Sequence, residues 1–153
     1  MDIEVKSDIK LLEQLISNLS DAIKVKVGAF NVDEDKAFQA EFGNPSAYVP
    51  ELNRHMDVPP RSFLQVPLEN FLADELKISL NEKILIDSSK AISEQIGKDA
   101  KFIIDVGFET EGYGEWEKND TDWLEYKQEH GFDDRVLHKT GNLAQSIDYK
   151  VDK

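Results

Sequence analysis

Apolar residues Ile9, Leu12, Ile16 and Leu19 recur at spacings of three and four, which puts them on one face of a helix. Ser7 is suited to cap that helix, and Asp8 complements the positive end of its dipole. After Asp21 the period changes. Ile23, Val25, Val27 and Ala29 alternate with Lys24, Lys26 and Gly28, the pattern of a half-buried strand with both lysines on its wet side. The polar stretch 31–35 reads as a turn. A short helix through Ala37, Phe38 and Phe42 then stops at Gly43, a residue free to take the left-handed C-cap conformation. Pro45, Pro50, Pro59 and Pro60 all discourage regular hydrogen bonding. Residues 44–60 are therefore expected to form an irregular, mobile loop, of a length usually tied to function.

Pro67 fits the first turn of a helix whose apolar stripe is Leu68, Phe71, Leu72 and Leu76. A break near 79–81 separates it from a second helix, marked by Ala91, Ile92, Ile96, Ala100, Ile103 and Ile104 and running to about Val106. Gly97 is a local weakness in that helix. Gly107, Gly112 and Gly114 predict a loop, and 123–129 a short helix closed by Gly131. A helical turn at 142–146 leads into an alternating terminal strand, Ile147, Tyr149 and Val151. The pattern implies one α+β domain. Its small antiparallel or mixed sheet, with strands near 23–30 and 146–151, would pack against two or three helices.

Composition narrows the partners. The chain has 153 residues and no cysteine, with 31 acidic side chains against 18 Lys and Arg, a formal charge of −13. Such a length suits a single domain that needs no disulfide or metal to hold together. Disulfide scaffolds, thiolate metal sites and cysteine nucleophiles are excluded. The opening Met-Asp-Ile-Glu lacks a basic n-region and is not expected to be a signal peptide. The longest aliphatic runs, such as 84–86, are far too short to span a membrane. A pI near 4.6 speaks against a surface that grips DNA or RNA. Between Glu109 and Asp134, ten acids face only Lys118 and Lys127, a net −8 in 26 residues. That region is expected to be a solvated acidic loop and helix face, or a patch for a basic partner.

Candidate chemistry is sparse. Counting an EF-hand from Asn31 puts Asp33 and Asp35 at ligand positions three and five, but Lys36 stands where the invariant glycine belongs and Phe42 where the bidentate Glu belongs. His55, His130 and His138 form no i,i+4 pair and no HExxH motif. No GxSxG or Walker-type sequence is present. With 31 acids, a pair of carboxylates carries no signal until burial and distance are known. Neither enzyme chemistry nor a metal or cofactor site is expected.

Two patterns carry more. In Val58-Pro59-Pro60-Arg61-Ser62-Phe63-Leu64, the diproline stiffens an extended approach that aims Arg61 and Phe63 just ahead of a helix. In the stretch 138–147, Thr140 can cap the following turn, Gly141 relieves the backbone, and Leu143 and Ile147 face one side. Their order resembles the virion-morphogenesis, tail-completion or neck proteins of tailed bacteriophages. The matching pieces are Val27-Gly28, then Glu41-Phe42-Gly43, then Pro59-Pro60-Arg61-Ser62-Phe63-Leu64, then Trp116, and finally Thr140-Gly141-Asn142-Leu143 through Ser146-Ile147-Asp148-Tyr149. They run from about Lys24 to the last strand. Ser62 stands where that family often has proline, Lys139 where it often has Asp, and the segment 44–57 is longer than in the shortest members.

The resemblance implies a small α+β subunit that assembles with itself, as a homohexameric ring, at the junction of phage head and tail. Its partners would be connector or head-completion and tail-terminator proteins, with DNA only as passing cargo and no membrane. It would work in the virion, after assembly in the host cytoplasm. Phe42, Gly43, Pro59, Pro60, Arg61, Phe63, Leu64 and Trp116 would set the fold or the subunit contacts. Thr140, Gly141 and Leu143 would position the terminal strand, with Ser146 and Ile147 part of the same structural motif. The other reading is an acidic DNA mimic that occupies a basic nucleic-acid enzyme, presenting carboxylates where phosphates would lie.

Overall fold

The computed structural model describes the backbone of residues 2–21 and 24–152, and the side chains of 9–21 and 24–152. In chain order the elements are α1 (Asp2–Ser20), β1 (Val25–Ala29), α2 (Glu34–Phe42), β2 (Asn44–Val49), a 3-10 turn (Pro50–Leu52), β3 (Arg54–Val58), α3 (Gln65–Ser79), α4 (Glu82–Asp87), α5 (Ser89–Glu109), α6 (Thr121–Glu129), α7 (Asn142–Gln145) and β4 (Ile147–Val151). The class is α+β. There are two antiparallel sheets of two strands each, β1 with β4 and β2 with β3.

The expected pairing of the early and terminal strands is present, in the register Val25–Val151 to Ala29–Ile147. Ile23, read as the start of β1, lies outside the described residues. This sheet rests on α5, which also packs against α3 and α4. Ile92, Ala100, Ile103, Ile104 and Phe108 of α5 are all buried, so this helix is the spine of the core. Burying side chains of that size stabilises the fold by about 1.5–3 kcal/mol apiece for the larger ones. Phe63, Trp116, Val136 and Ile147 complete the central cluster.

Local chemistry accounts for the helix starts. Asp33 accepts a hydrogen bond from the Lys36 amide, Asn81 from Ile84 and Ser88 from Ala91, each closing the first turn of its helix. The polar stretch read as a turn at 31–35 thus ends in a cap, Asp33, with Glu34 and Asp35 already in the first turn of α2. Ser7 is not a cap, because α1 begins before it and carries it within a helical turn.

Further expectations need correction. Residues 44–60 are not an irregular loop but a β-hairpin, with β2 and β3 paired from Asn44–Val58 to Val49–Arg54. The prolines fit because each avoids a ladder position that needs an N–H. Pro45 falls at the register shift between Asn44 and Ala47, Pro50 opens the 3-10 turn, and Pro59 and Pro60 follow the last strand residue. Second, Gly107 does not end its helix, which continues to Glu109. Third, on α1 the stripe is the more exposed side. Leu11, Leu15 and Asn18 form the more buried side of α1, and Asn18 Nδ2 donates to the Leu85 carbonyl of α4 at 2.7 Å. Ile9, Leu12, Ile16 and Leu19 do share a face, but they stay 49–57% exposed.

Candidate functional site

The residues between α2 and α3 converge on one joint. Gly43 has φ 75° and ψ 171°, so the chain leaves α2 extended, not through the left-handed cap expected of it. A β-carbon there would stand 2.8 Å from Pro60 N and from the Val58 carbonyl oxygen. Only glycine lets the hairpin's exit return so close to the end of α2. The return is fastened by the Arg61 amide, which donates to the Ala40 carbonyl at 2.8 Å.

Glu41 sits at the centre of this joint. Its buried carboxylate accepts from Ser62 Oγ at 2.6 Å, Phe63 N at 2.8 Å, and Leu64 N and Gln65 N at 3.0 Å each. Those amides open α3, whose own N-cap residue, Leu64, has no capping side chain. A carboxylate from another helix therefore does the capping, and its charge suits the positive end of the α3 dipole. Ser62 Oγ in turn accepts from Val66 N at 2.9 Å.

Arg61 and Trp116 tie the acidic segment to the same joint. Arg61 Nε donates to the Glu117 carbonyl at 2.8 Å and a terminal nitrogen to the Lys118 carbonyl at 3.0 Å. Burial lowers the pKa of this guanidinium, against the opposing pull of Glu117 and Glu111. Arg61 is only 7% exposed, so its side chain is spent inside the fold. Trp116 Nε1 donates to the Ser62 carbonyl at 3.2 Å, and its ring meets Phe108 edge-on. Phe63 also packs on Phe108, ring centroids 5.5 Å apart.

The second group lies apart but feeds the same core. Thr140 Oγ1 accepts from Asn142 N at 3.4 Å, Gly141 takes φ 76°, and Ser146 Oγ donates to the Leu143 carbonyl at 2.6 Å. Leu143 packs against the central cluster, which Ile147 joins directly. Just before them, Lys139 Nζ bonds Glu51 at 2.7 Å and lies 5.0–5.5 Å from the ring centres of Trp123, Tyr126 and Phe132. It fastens the hairpin turn to α6, as does Arg54 through Asp120 and Asp122.

Much of the acidic segment is engaged internally. Arg135 pairs with Asp133 and Glu109, and holds the Asp133 carboxyl well below the usual carboxylate range. Glu111 accepts from Lys118 Nζ and from the Val136 amide, each at 2.8 Å, and its pKa is lowered by those bonds in that order. Lys127 is almost fully buried, donating to the Arg135 carbonyl at 2.8 Å, and its pKa is lowered by burial.

Beside the joint, an open apolar groove of about 390 Å³ runs between β1, α2 and the start of α3. Val27, Ala29, Leu64 and Leu68 line it, and Phe38 and Phe42 stand at its wall, 62% and 56% exposed and 4.7 Å apart. Phe42 is thus the one residue of its motif that the fold leaves outside. Sequence reasoning gave neither Glu41 nor Phe38 a role, although Glu41 stands directly before the Phe42-Gly43 pair.

Among the described residues, no group of three or more His, Asp or Glu side chains is placed to hold a metal ion, and no helix is long and apolar enough to cross a membrane. Comparison of the chain with family models, curated proteins and solved structures found no match.

Proposed function

We propose that the chain is a structural subunit of the head–tail junction of a tailed bacteriophage, a neck or tail-completion protein that forms a ring and leaves a channel for DNA. The observation that carries this reading is the division of labour among the residues of the resemblance. Gly43, Arg61, Phe63, Trp116 and Ile147 are spent inside the fold, while apolar side chains of α1 and α2 stay on the surface. Soluble monomers rarely expose contiguous apolar patches beyond about 300–600 Å², and larger ones mark interaction sites. A subunit built to self-assemble needs such faces.

The DNA-mimic reading draws less support. Glu109, Glu111, Asp120, Asp122 and Asp133 all pair with cations of the same chain, which leaves fewer free carboxylates for a basic enzyme. The test is the set of particles made in the absence of the protein. Filled heads accumulating beside unattached tails bear the proposal out, whereas normal infectious virions sink it.

A further inference from the structure

We propose that the cleft between the end of α5, the segment 133–139 and α7 binds a small uncharged polyol, the size of one sugar ring, with Nε2 of His138 accepting one of its hydroxyls. The proposal does not depend on the assembly reading above.

His138 is the anchor. It is only 4% exposed, it lines a cleft of about 330 Å³, and its ring meets Phe108 edge-on. Its Nδ1 stands 2.7 Å from the Val136 carbonyl. A carbonyl can only accept, so the proton is on Nδ1, and in the neutral ring Nε2 carries a bare lone pair. Among the described residues no fully buried side-chain nitrogen or oxygen lacks a partner. Nε2 has none within them, so it is not sealed off: it is the part of this buried ring that still reaches the cleft. Such an acceptor is left for a donor from outside the chain.

The backbone is bent to hold the ring there. Leu137, just before it, takes φ 61°, a left-handed conformation rare for leucine, and the His138 amide closes a turn on the Arg135 carbonyl at 3.2 Å. Strain of this kind persists where the surroundings enforce it, and it gathers at ligand sites.

Charge selects the ligand. Glu109 and Asp133 line the cleft together with Arg135 and Lys139, so the formal charges of its walls cancel. Both cations are already committed, Arg135 to Glu109 and Asp133, and Lys139 to Glu51. A charged ligand would have to compete with one of these pairs, and an uncharged one would not. Among the described residues no three His, Asp or Glu side chains are placed to hold a metal ion, so the bare nitrogen does not belong to a ligand set.

What remains free is mostly acceptor. Beside Nε2 stand the spare lone pairs of the two carboxylates and the exposed amide of Gln145. Thr140 Oγ1 accepts from Asn142 N and keeps its own O–H to donate. A polyol answers such walls, because each of its hydroxyls both donates and accepts. The volume lies at the small end of ligand clefts, about 300–1,000 Å³, which leaves room for one ring and not for a chain of them.

The test is ¹⁵N NMR of the full chain with labelled imidazoles, titrated with glucose, galactose and mannose. At least one sugar should carry the Nε2 signal of His138 to a plateau. His138→Asn keeps an N–H where Nδ1 stands and drops the acceptor; followed through its backbone amides, it should bind about tenfold more weakly. Gln145→Leu alters only an exposed side chain, so it tests the cleft even if His138→Asn fails to fold, and it too should bind more weakly. A His138 signal that ignores every sugar, or drifts without a plateau, would overturn the proposal, leaving the cleft to water. A plateau reached only with acetate or methylammonium would overturn it through the ligand's charge. Unchanged affinity in the folded variants would overturn it through the site.

Discussion

Tyr149 on β4 occupies the space where a β-carbon on Gly97 of α5 would stand, and its hydroxyl donates to Glu94 Oε2 at 2.9 Å. The glycine that weakens α5 locally is the notch that admits the terminal strand. A Gly→Ala change in an open helix gains up to about 1 kcal/mol. Here Gly97→Ala should instead destabilise by about 1–3 kcal/mol, because the ring must move and take β4 with it. Thermal unfolding of Gly97→Ala beside Tyr149→Ala measures this, and the double variant should lose less than the sum of the two.

Glu41→Gln should be among the most costly isosteric changes in the chain. It removes the charge and points an NH₂ group at donors of Ser62, Phe63, Leu64 and Gln65. A loss of roughly 2–4 kcal/mol is expected, since bonds to a buried charged acceptor are the strong ones and orphaned donors add their own penalty. Denaturant titration gives the value; a change under 0.5 kcal/mol, the scatter of ordinary surface changes, would mean that α3 caps itself.

Arg61→Lys keeps the charge but loses the fork that reaches both the Glu117 and Lys118 carbonyls. A cost of about 1–3 kcal/mol should follow, with Trp116 fluorescence shifting as the segment loosens. Normal stability together with an unshifted spectrum would remove Arg61 from the joint.

Acid should loosen the hairpin and the acidic segment together. Glu51 and Glu111 both titrate below their ordinary 4.5 in the folded chain, mainly through bonds from Lys139 and Lys118 respectively. A carboxylate with a lowered folded pKa contributes stability above its unfolded pKa and loses it as the pH falls through the folded value. Glu111→Gln should therefore melt lower than wild type at pH 7. The gap should close as the pH falls below about 4.5 and through the lowered folded pKa of Glu111, where the wild-type side chain is protonated too. A gap that does not depend on pH would show that the carboxylate's charge is not what Lys118 and Val136 recognise.

Periodicity made some of this visible in advance. Alternation at 25–29 and 147–151 exposed both strands of the first sheet, and the α5 stripe exposed the spine. It could not say what the Ile9 row faces, because amphipathicity records a preference for burial and not which surface provides it. The hairpin was hidden by proline count, when proline position was what mattered: Pro45 at the register shift and Pro50 at the start of the 3-10 turn leave the ladder intact. Glu41 was illegible for another reason. Three of its four donors are backbone amides 22–24 residues further on, and an amide leaves no mark in a sequence.

The pairing of β1 with β4 sets a timetable for the chain's birth. Val25 has to wait for Val151. Until β4 has been synthesised, β1 lacks the strand it pairs with and the notch at Gly97 is unfilled. Helices α3, α4 and α5 make nearer contacts along the chain and can collapse earlier, but the sheet closes over a separation that makes folding slow. The helical layer can therefore form first and stands with one apolar side open until β4 arrives to close it.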